Sequence, residues 1–223
     1  MRLRKQSIFE DRADAGRKLA ERLQEYRGNE TAVFAIPHGG VPVSVEVAKG
    51  LGAYLDMVVP RKITIPDDPE AGYGAVTEDG TIVLNLSLVK RLGLTEKQIQ
   101  YQAEEVRAEI RRRTVLYHRK LQTPQVTVKT AIIVDDGLAS GYTSLAAVKS
   151  IRQRNIPNIV VASPAVSGTA YELIKPGVDD LVYIVLSRIY PFAVASFYQN
   201  WHDLSDDEVI EYLENWKQPK KAE

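Results

Sequence analysis

The sequence predicts an α/β fold, doubly wound around a mostly parallel central sheet. Two observations carry that expectation. TAVFAI (31–36), AIIV (131–134), IVVASPA (159–165) and LVYIVL (181–186) are continuous apolar runs of strand length. Runs of this kind belong to strands buried on both faces. Stretches with helical spacing separate them, so the connections are helical crossovers and the strands parallel.

Taken in order, Asp11 opens a helix on which Ala15, Leu19, Leu23 and Tyr26 share a face, and Gly28 closes it. Thr31 to Ile36 is a buried strand that ends at Pro37-His38-Gly39-Gly40. Val41 to Leu51 reads as a helix and Leu55 to Val59 as a short strand. Arg61 to Gly80, rich in Pro, Gly and Asp, reads as a long loop, with a strand at Thr81 to Leu86 beyond it. Loops of that length inside a compact domain are commonly lids or binding loops. Asp67 to Ala75 would be the lid, Gly72 and Gly74 letting it move, with Tyr73 either touching ligand or covering the sheet.

Thr95 and Gln98 have the spacing of a capping box for a long helix reaching about Leu121. Ile99, Ala103, Val106, Ile110 and Tyr117 form its apolar seam. Its arginines, Arg107 and Arg111 to Arg113, alternate with glutamates, the pattern of a solvated face laced by helical ion pairs. Ser144 to Arg154 and Gly168 to Lys175 are the remaining helical connections. The aromatic, acidic tail Tyr190 to Trp216 is expected to pack over one edge. Residues 1–223 thus read as one domain with a core of about 31–190; the N-terminal helix 11–27 and residues 190–216 supply its edge and a small hood.

Composition narrows the function. Lys plus Arg and Asp plus Glu number 29 each, so no global basic field argues for nucleic acid. Cysteine is absent, which excludes disulfides and thiolate metal sites. No apolar run approaches the roughly 18 residues of a spanning helix, and the basic start MRLRK leads into charged residues rather than an apolar signal core. A cytoplasmic protein without membrane contact is the expectation.

The informative stretch is VDDGLASGYTS, Val134 to Ser144. Ligands of open parallel sheets sit beyond the carboxyl ends of strands, and Asp135 and Asp136 fall at such an end. The backbone amides of Ala139, Ser140, Gly141, Tyr142 and Thr143 open the next helix, where unpaired N–H groups and the helix dipole favour a phosphate. The carboxylates cannot face that phosphate; they suit hydroxyl groups or a hydrated Mg²⁺ nearby. A ribose 5-phosphate satisfies both, its hydroxyls on the acids and its phosphate on the turn. A phospho-acceptor site with Mg²⁺ in the acidic pocket would leave the turn unexplained.

IIVDDGLASGYT resembles the phosphoribosyl-pyrophosphate-binding motif of the type I phosphoribosyltransferases, with Ser140-Gly141-Tyr142-Thr143 at the turn and Ser in place of the usual Thr. FAIPHGGVPVSVEVA is similar to that family's pyrophosphate loop, and RKITIPDDPEAGYGAV stands where its mobile loop stands; the likeness runs from about Thr31 to Leu186. The ends, FEDRADAGRKLAERL and FAVASFYQNWHDLSDDEV, look like those of an uncharacterised branch of predicted phosphoribosyltransferases.

The resemblance implies a type I phosphoribosyltransferase-like sheet with a long inserted helix. It also implies Mg²⁺-dependent transfer of a phosphoribosyl group from phosphoribosyl pyrophosphate to a nitrogenous base, as in nucleotide salvage. Asp135 and Asp136 would then be catalytic and hold Mg²⁺, directly or through water, while residues 139–143 bind the 5′-phosphate. His38, Gly39 and Gly40 would bind pyrophosphate from one side, and Arg61 and Lys62 from the other. His38 stands where the family often has Arg or Lys, and a neutral imidazole still donates one hydrogen bond. No histidine metal cluster is expected, because His118 and His202 are remote in sequence. Tyr190, Phe192, Phe197, Tyr198 and Trp201 are candidates for a hood stacking on the base, Phe192 and Tyr190 foremost. A homodimer is compatible with this reading. Two alternatives stay open: a non-catalytic regulator that binds phosphoribosyl pyrophosphate, and an enzyme acting on a ribose phosphate without base transfer.

Overall fold

A computed structural model describes residues 7–28, 30–65, 68–121 and 127–219, without the side chains of residues 69 and 70. MRLRK and Asp67 lie outside the described residues. The elements are α1 (Arg12–Arg22), β1 (Thr31–Ala35), α2 (Gly40–Leu51), β2 (Tyr54–Met57), β3 (Arg61–Ile65), β4 (Asp68–Val76), β5 (Ile82–Leu84), α3 (Leu86–Leu92) and α4 (Glu96–His118). They continue with β6 (Thr130–Val134), α5 (Tyr142–Arg152), β7 (Asn158–Ser167), α6 (Gly168–Ile174), β8 (Asp180–Ser187) and α7 (Asp206–Asn215).

β2-β1-β6-β7-β8 form a five-stranded sheet whose pairings are all parallel. Side chains of a strand alternate between faces, and both faces here are covered. Val33, Leu55, Ile132, Val134 and Val160 pack toward Leu19, Leu23, Val43, Val47 and Leu51 of α1, α2 and the turn between them. Phe34, Ile133, Ile159 and Val161 pack toward Val148, Ile151, Ala170 and Ile174 of α5 and α6. This explains the unbroken apolar runs and makes the fold the expected doubly wound α/β sheet. The strand order reverses between β1 and β6, so the topological switch point lies there. The carboxyl ends of those two strands carry Pro37 to Gly40 and Asp135-Asp136.

The segment 61–80 differs from expectation. Its described part is not a loop: β3 and β4 pair antiparallel, and β5 completes a three-stranded sheet. Ile63, Tyr73, Ala75 and Val76 are buried, a pattern masked in sequence by the surrounding Gly, Pro and Asp. Gly72 and Gly74 lie at positions of close approach within this sheet. A Cβ at Gly74 would lie 2.5 Å from the Val83 carbonyl, and one at Gly72 2.2 Å from Cγ of Lys62. Tyr73 covers the sheet and its hydroxyl donates to Gln102 at 2.6 Å. β5 is shorter than the strand expected at 81–86, and α3 was not anticipated.

α4 carries the expected capping box: the Gln98 N–H donates to Oγ1 of Thr95 at 3.4 Å, and the Thr95 N–H to Gln98 Oε1 at 2.9 Å. Removing an N-cap hydroxyl costs about 1 kcal/mol. Thr95→Ala should therefore lower the melting temperature by roughly 2–4 °C, read by circular dichroism; an unchanged melt would mean that this turn is frayed in solution. Among the described residues no helix is long and apolar enough to cross a membrane.

Candidate functional site

Asp135 and Asp136 extend β6 beyond Val134 into the switch point. The Asp136 N–H donates to Oδ1 of Asp135 at 2.9 Å, which turns one carboxylate oxygen inward. Oδ2 of Asp136 pairs with Nε of Arg12 at 2.8 Å, and the Asp136 carbonyl accepts from the Tyr198 hydroxyl at 2.6 Å. Burial, reinforced by the charge of Asp136, pushes the Asp135 carboxyl well above the usual carboxylate range. Burial also raises Asp136, with the Arg12 guanidinium opposing it.

The turn that follows is tied to the end of β7. The Leu138 N–H donates to the Ala165 carbonyl at 2.8 Å, the Ser167 N–H to the Leu138 carbonyl at 2.9 Å, and Ser167 Oγ to the Ala139 carbonyl at 2.5 Å. Gly141 has φ +83°, a left-handed conformation that favours glycine, and a Cβ there would press on Ala170 at 3.2 Å. α5 starts immediately after it. The Leu145 N–H returns to the Gly141 carbonyl at 2.9 Å, while N–H groups of the first turn have no such intrahelical partner. Ala139 and Ser140 are exposed, and Thr143 is half-buried at the helix start. The Tyr142 ring packs toward Ala75 and Val83 of the small sheet, which reconciles a bulky residue with a turn whose relevant group is its amide.

Gly39 and Gly40 press against the acids from β1. A Cβ on Gly39 would stand 1.9 Å from Oδ2 of Asp136, and one on Gly40 would stand 2.7 Å from the Val134 carbonyl. The Pro37–His38 peptide is cis. Nε2 of His38 lies 3.0 Å from Oδ1 of Asp206 and 2.9 Å from NH1 of Arg113. That one nitrogen donates to Asp206 when it carries a proton and accepts from Arg113 when it does not. Burial lowers the His38 pKa, with Asp206 opposing and Arg113 reinforcing the shift.

Arg61 reaches this cluster through Glu109, which pairs with Arg113 at 3.3 Å. His38 and Arg61 are thus brought together, although one follows β1 of the large sheet and the other opens β3 of the small one. Lys62, the next residue along β3, takes the opposite face and lies over Gly72. The arginines of α4 are partly the expected helical pairs, Arg107 with Glu104 and Arg113 with Glu109.

Beside the turn of residues 139–143 a cleft of about 600 Å³ is lined by Ala139, Ser140, Glu172, Arg188, Tyr190 and Phe192, among others. Tyr190 is 94% exposed, and the Phe192 ring is 5.2 Å from that of Phe197. Tyr198 and Trp201 do not line this cleft. Tyr198 is buried against Phe9 and holds the Asp136 carbonyl; the Trp201 ring lies 3.9 Å beneath the Arg12 guanidinium.

Arg12, Arg113, Tyr117 and Asp206 were not legible as site residues. The Tyr117 hydroxyl donates to Oδ1 of Asp206 at 2.5 Å. Asp206 opens α7 behind a Ser205–Glu208 capping box, a spacing visible in the sequence that would have located the helix but not its contact with His38. Among the described residues no group of three acidic or histidine side chains could cage a metal. Two carboxylates alone suit Mg²⁺ that keeps most of its waters and arrives on a phosphate-bearing ligand.

A family model described as "Phosphoribosyl transferase domain" matches residues 6–189. The Mycobacterium tuberculosis H37Rv protein named "Putative phosphoribosyl transferase Rv0571c" is 37% identical over 207 residues, covering 93% of this chain and 46% of its own length. The chain therefore spans about half the length of that curated relative. TT1426 from Thermus thermophilus is 32% identical in its crystal structure, with a TM-score of 0.76 over 93% of this chain and 98% of that one. A hypothetical protein from Neisseria gonorrhoeae, crystallised with bound ppGpp, shares the fold at a TM-score of 0.51 and 14% identity, over 96% and 98% of the two chains.

Proposed function

The chain belongs to the phosphoribosyl transferase domain family, and on that premise we propose that it transfers the 5-phosphoribosyl group of phosphoribosyl pyrophosphate to a nitrogenous base, releasing pyrophosphate. The observation that carries this reading is the placement of a half-buried acid pair beside a small-residue helix start at the switch point of the sheet. Phosphate bound at the turn of residues 139–143 would lie on free amides and on the hydroxyls of Ser140 and Thr143. The sugar hydroxyls would then meet Asp135 and Asp136. The Gly39-Gly40 amides are the candidates for pyrophosphate, with His38 and Arg61 flanking them.

As the C1–O bond to pyrophosphate breaks, positive charge develops at the anomeric carbon, as in glycoside hydrolysis. The acid pair stabilises that charge from below, and no covalent nucleophile is needed. Mg²⁺, held through water by Asp135 and Asp136, would neutralise the departing pyrophosphate. The incoming base fits the cleft beside the turn, where Tyr190 and Phe192 offer ring faces. Salvage of bases in the cytoplasm is the role this chemistry serves.

A pyrophosphate-release screen with Mg²⁺, phosphoribosyl pyrophosphate and a panel of bases tests the reading. Binding without release for any base would favour the regulator instead. Thr143→Val removes one phosphate donor and should weaken ribose 5-phosphate about tenfold, on the order of one charge-assisted hydrogen bond. Unchanged affinity in a folded variant, measured calorimetrically, would place the phosphate elsewhere.

A further inference from the structure

The sheet alone does not hold the acid pair. Arg12 is 7% exposed, and three contacts fix its guanidinium. Nε pairs with Asp136 Oδ2 at 2.8 Å, NH1 donates to the His202 carbonyl at 2.9 Å, and the Trp201 ring lies 3.9 Å away. The segments around these residues are joined by backbone. The Gln199 N–H donates to the Phe9 carbonyl and the Asn200 N–H to the Glu10 carbonyl, both at 2.8 Å. Gly39 closes the other side of the same carboxylate oxygen. With Oδ2 engaged, Asp136 can offer a ligand only its other oxygen, in one orientation.

We propose that Arg12 is a positioning residue for sugar recognition: it fixes the Asp136 carboxylate so that the acid pair reads the vicinal hydroxyls of a ribose phosphate. The inference rests on the phosphoribosyl reading above and assigns the N-terminal helix a part in it. A planar guanidinium held edge-on and from beneath fixes an oxygen in a way a mobile ammonium does not. The charge of Arg12 also offsets one of two adjacent half-buried carboxylates, which would otherwise repel each other.

The test compares calorimetric binding of ribose 5-phosphate, 2-deoxyribose 5-phosphate and inorganic phosphate to the full chain and to R12Q, R12K and W201L. The unsubstituted chain should prefer ribose 5-phosphate to its deoxy analogue about tenfold, since one hydroxyl on a carboxylate is lost. R12Q should abolish that preference while leaving inorganic phosphate affinity unchanged, and R12K should restore part of it. W201L keeps the charge and loosens its seat; it should narrow the preference about threefold, and it decides the matter if R12Q does not fold. A preference that survives in R12Q or, should R12Q not fold, one that is not narrowed in W201L overturns the inference, as does an equal loss for all three ligands, which marks a scaffold role. If the unsubstituted chain binds ribose 5-phosphate and its deoxy analogue alike, the hydroxyl recognition fails while the phosphate turn stands. If it binds neither sugar phosphate, the phosphoribosyl reading itself fails, and the inference with it.

Discussion

Gly39→Ala is expected to weaken phosphoribosyl pyrophosphate binding by roughly a hundredfold, about 2.7 kcal/mol. The backbone of Gly39 has φ −61°, which any residue adopts, so the requirement for glycine is one of space. An added Cβ would stand 1.9 Å from Oδ2 and 2.4 Å from Cγ of Asp136. The carboxylate cannot retreat, because Arg12 holds that oxygen and Tyr198 holds the backbone of the same residue. The loop must lift instead, carrying the amides before α2 away from the acids. Forced displacement in a packed site costs on the order of 1–3 kcal/mol in stability as well. Titration calorimetry with phosphoribosyl pyrophosphate and Mg²⁺, alongside a thermal melt, checks both effects. Undiminished affinity would remove the loop of residues 37–40 from the ligand site.

Asp135→Asn should act in opposite directions on activity and stability. Burial, reinforced by the charge of the neighbouring Asp136, raises the Asp135 carboxyl well above the usual carboxylate range. A carboxyl whose folded pKa lies above its unfolded value destabilises the fold at pH values above the folded pKa. That penalty fades as pH falls toward the unfolded value near 4. The amide removes the penalty, so the melting temperature at pH 8 should rise, by roughly 2–4 °C for each kcal/mol relieved. The gain should shrink as the buffer is made acidic. Pyrophosphate release should meanwhile drop about a hundredfold, since the developing cation loses a charge beside it. A variant destabilised at pH 8 would overturn the electrostatic penalty, and a fully active one would show that this carboxylate is no part of the chemistry.

The sheet was legible because its signal is redundant: each parallel strand is buried on both faces, so a run such as Ala131 to Val134 is apolar at every position. The positions of the acid pair and of the small-residue turn were legible for a related reason, since chain continuity places them at the end of that strand and the start of α5. In the small sheet only β5 was, inside the strand expected at 81–86. β3 and β4 lack such a continuous apolar run, and the glycines that let them approach their neighbours resemble the glycines of a loop. The partners of the site residues were equally hidden. Arg12 meets Asp136 across 124 positions and His38 meets Asp206 across 168, and no local periodicity records such pairings. Tyr198 and Trp201 were noticed as aromatics, but their roles depend on what lies under them.

The joining of residues 9–10 to 199–200 also has a consequence for biosynthesis. Translation delivers β8, and with it the entire parallel sheet, before Tyr198, Trp201 and Asp206 exist. Until then Arg12 lacks the ring beneath it, the Asp136 carbonyl lacks its hydroxyl donor, and His38 lacks its carboxylate. A growing chain thus has its scaffold before it has a finished candidate site, and the end of the sheet that carries the acid pair is completed only by residues that leave the ribosome after the last strand.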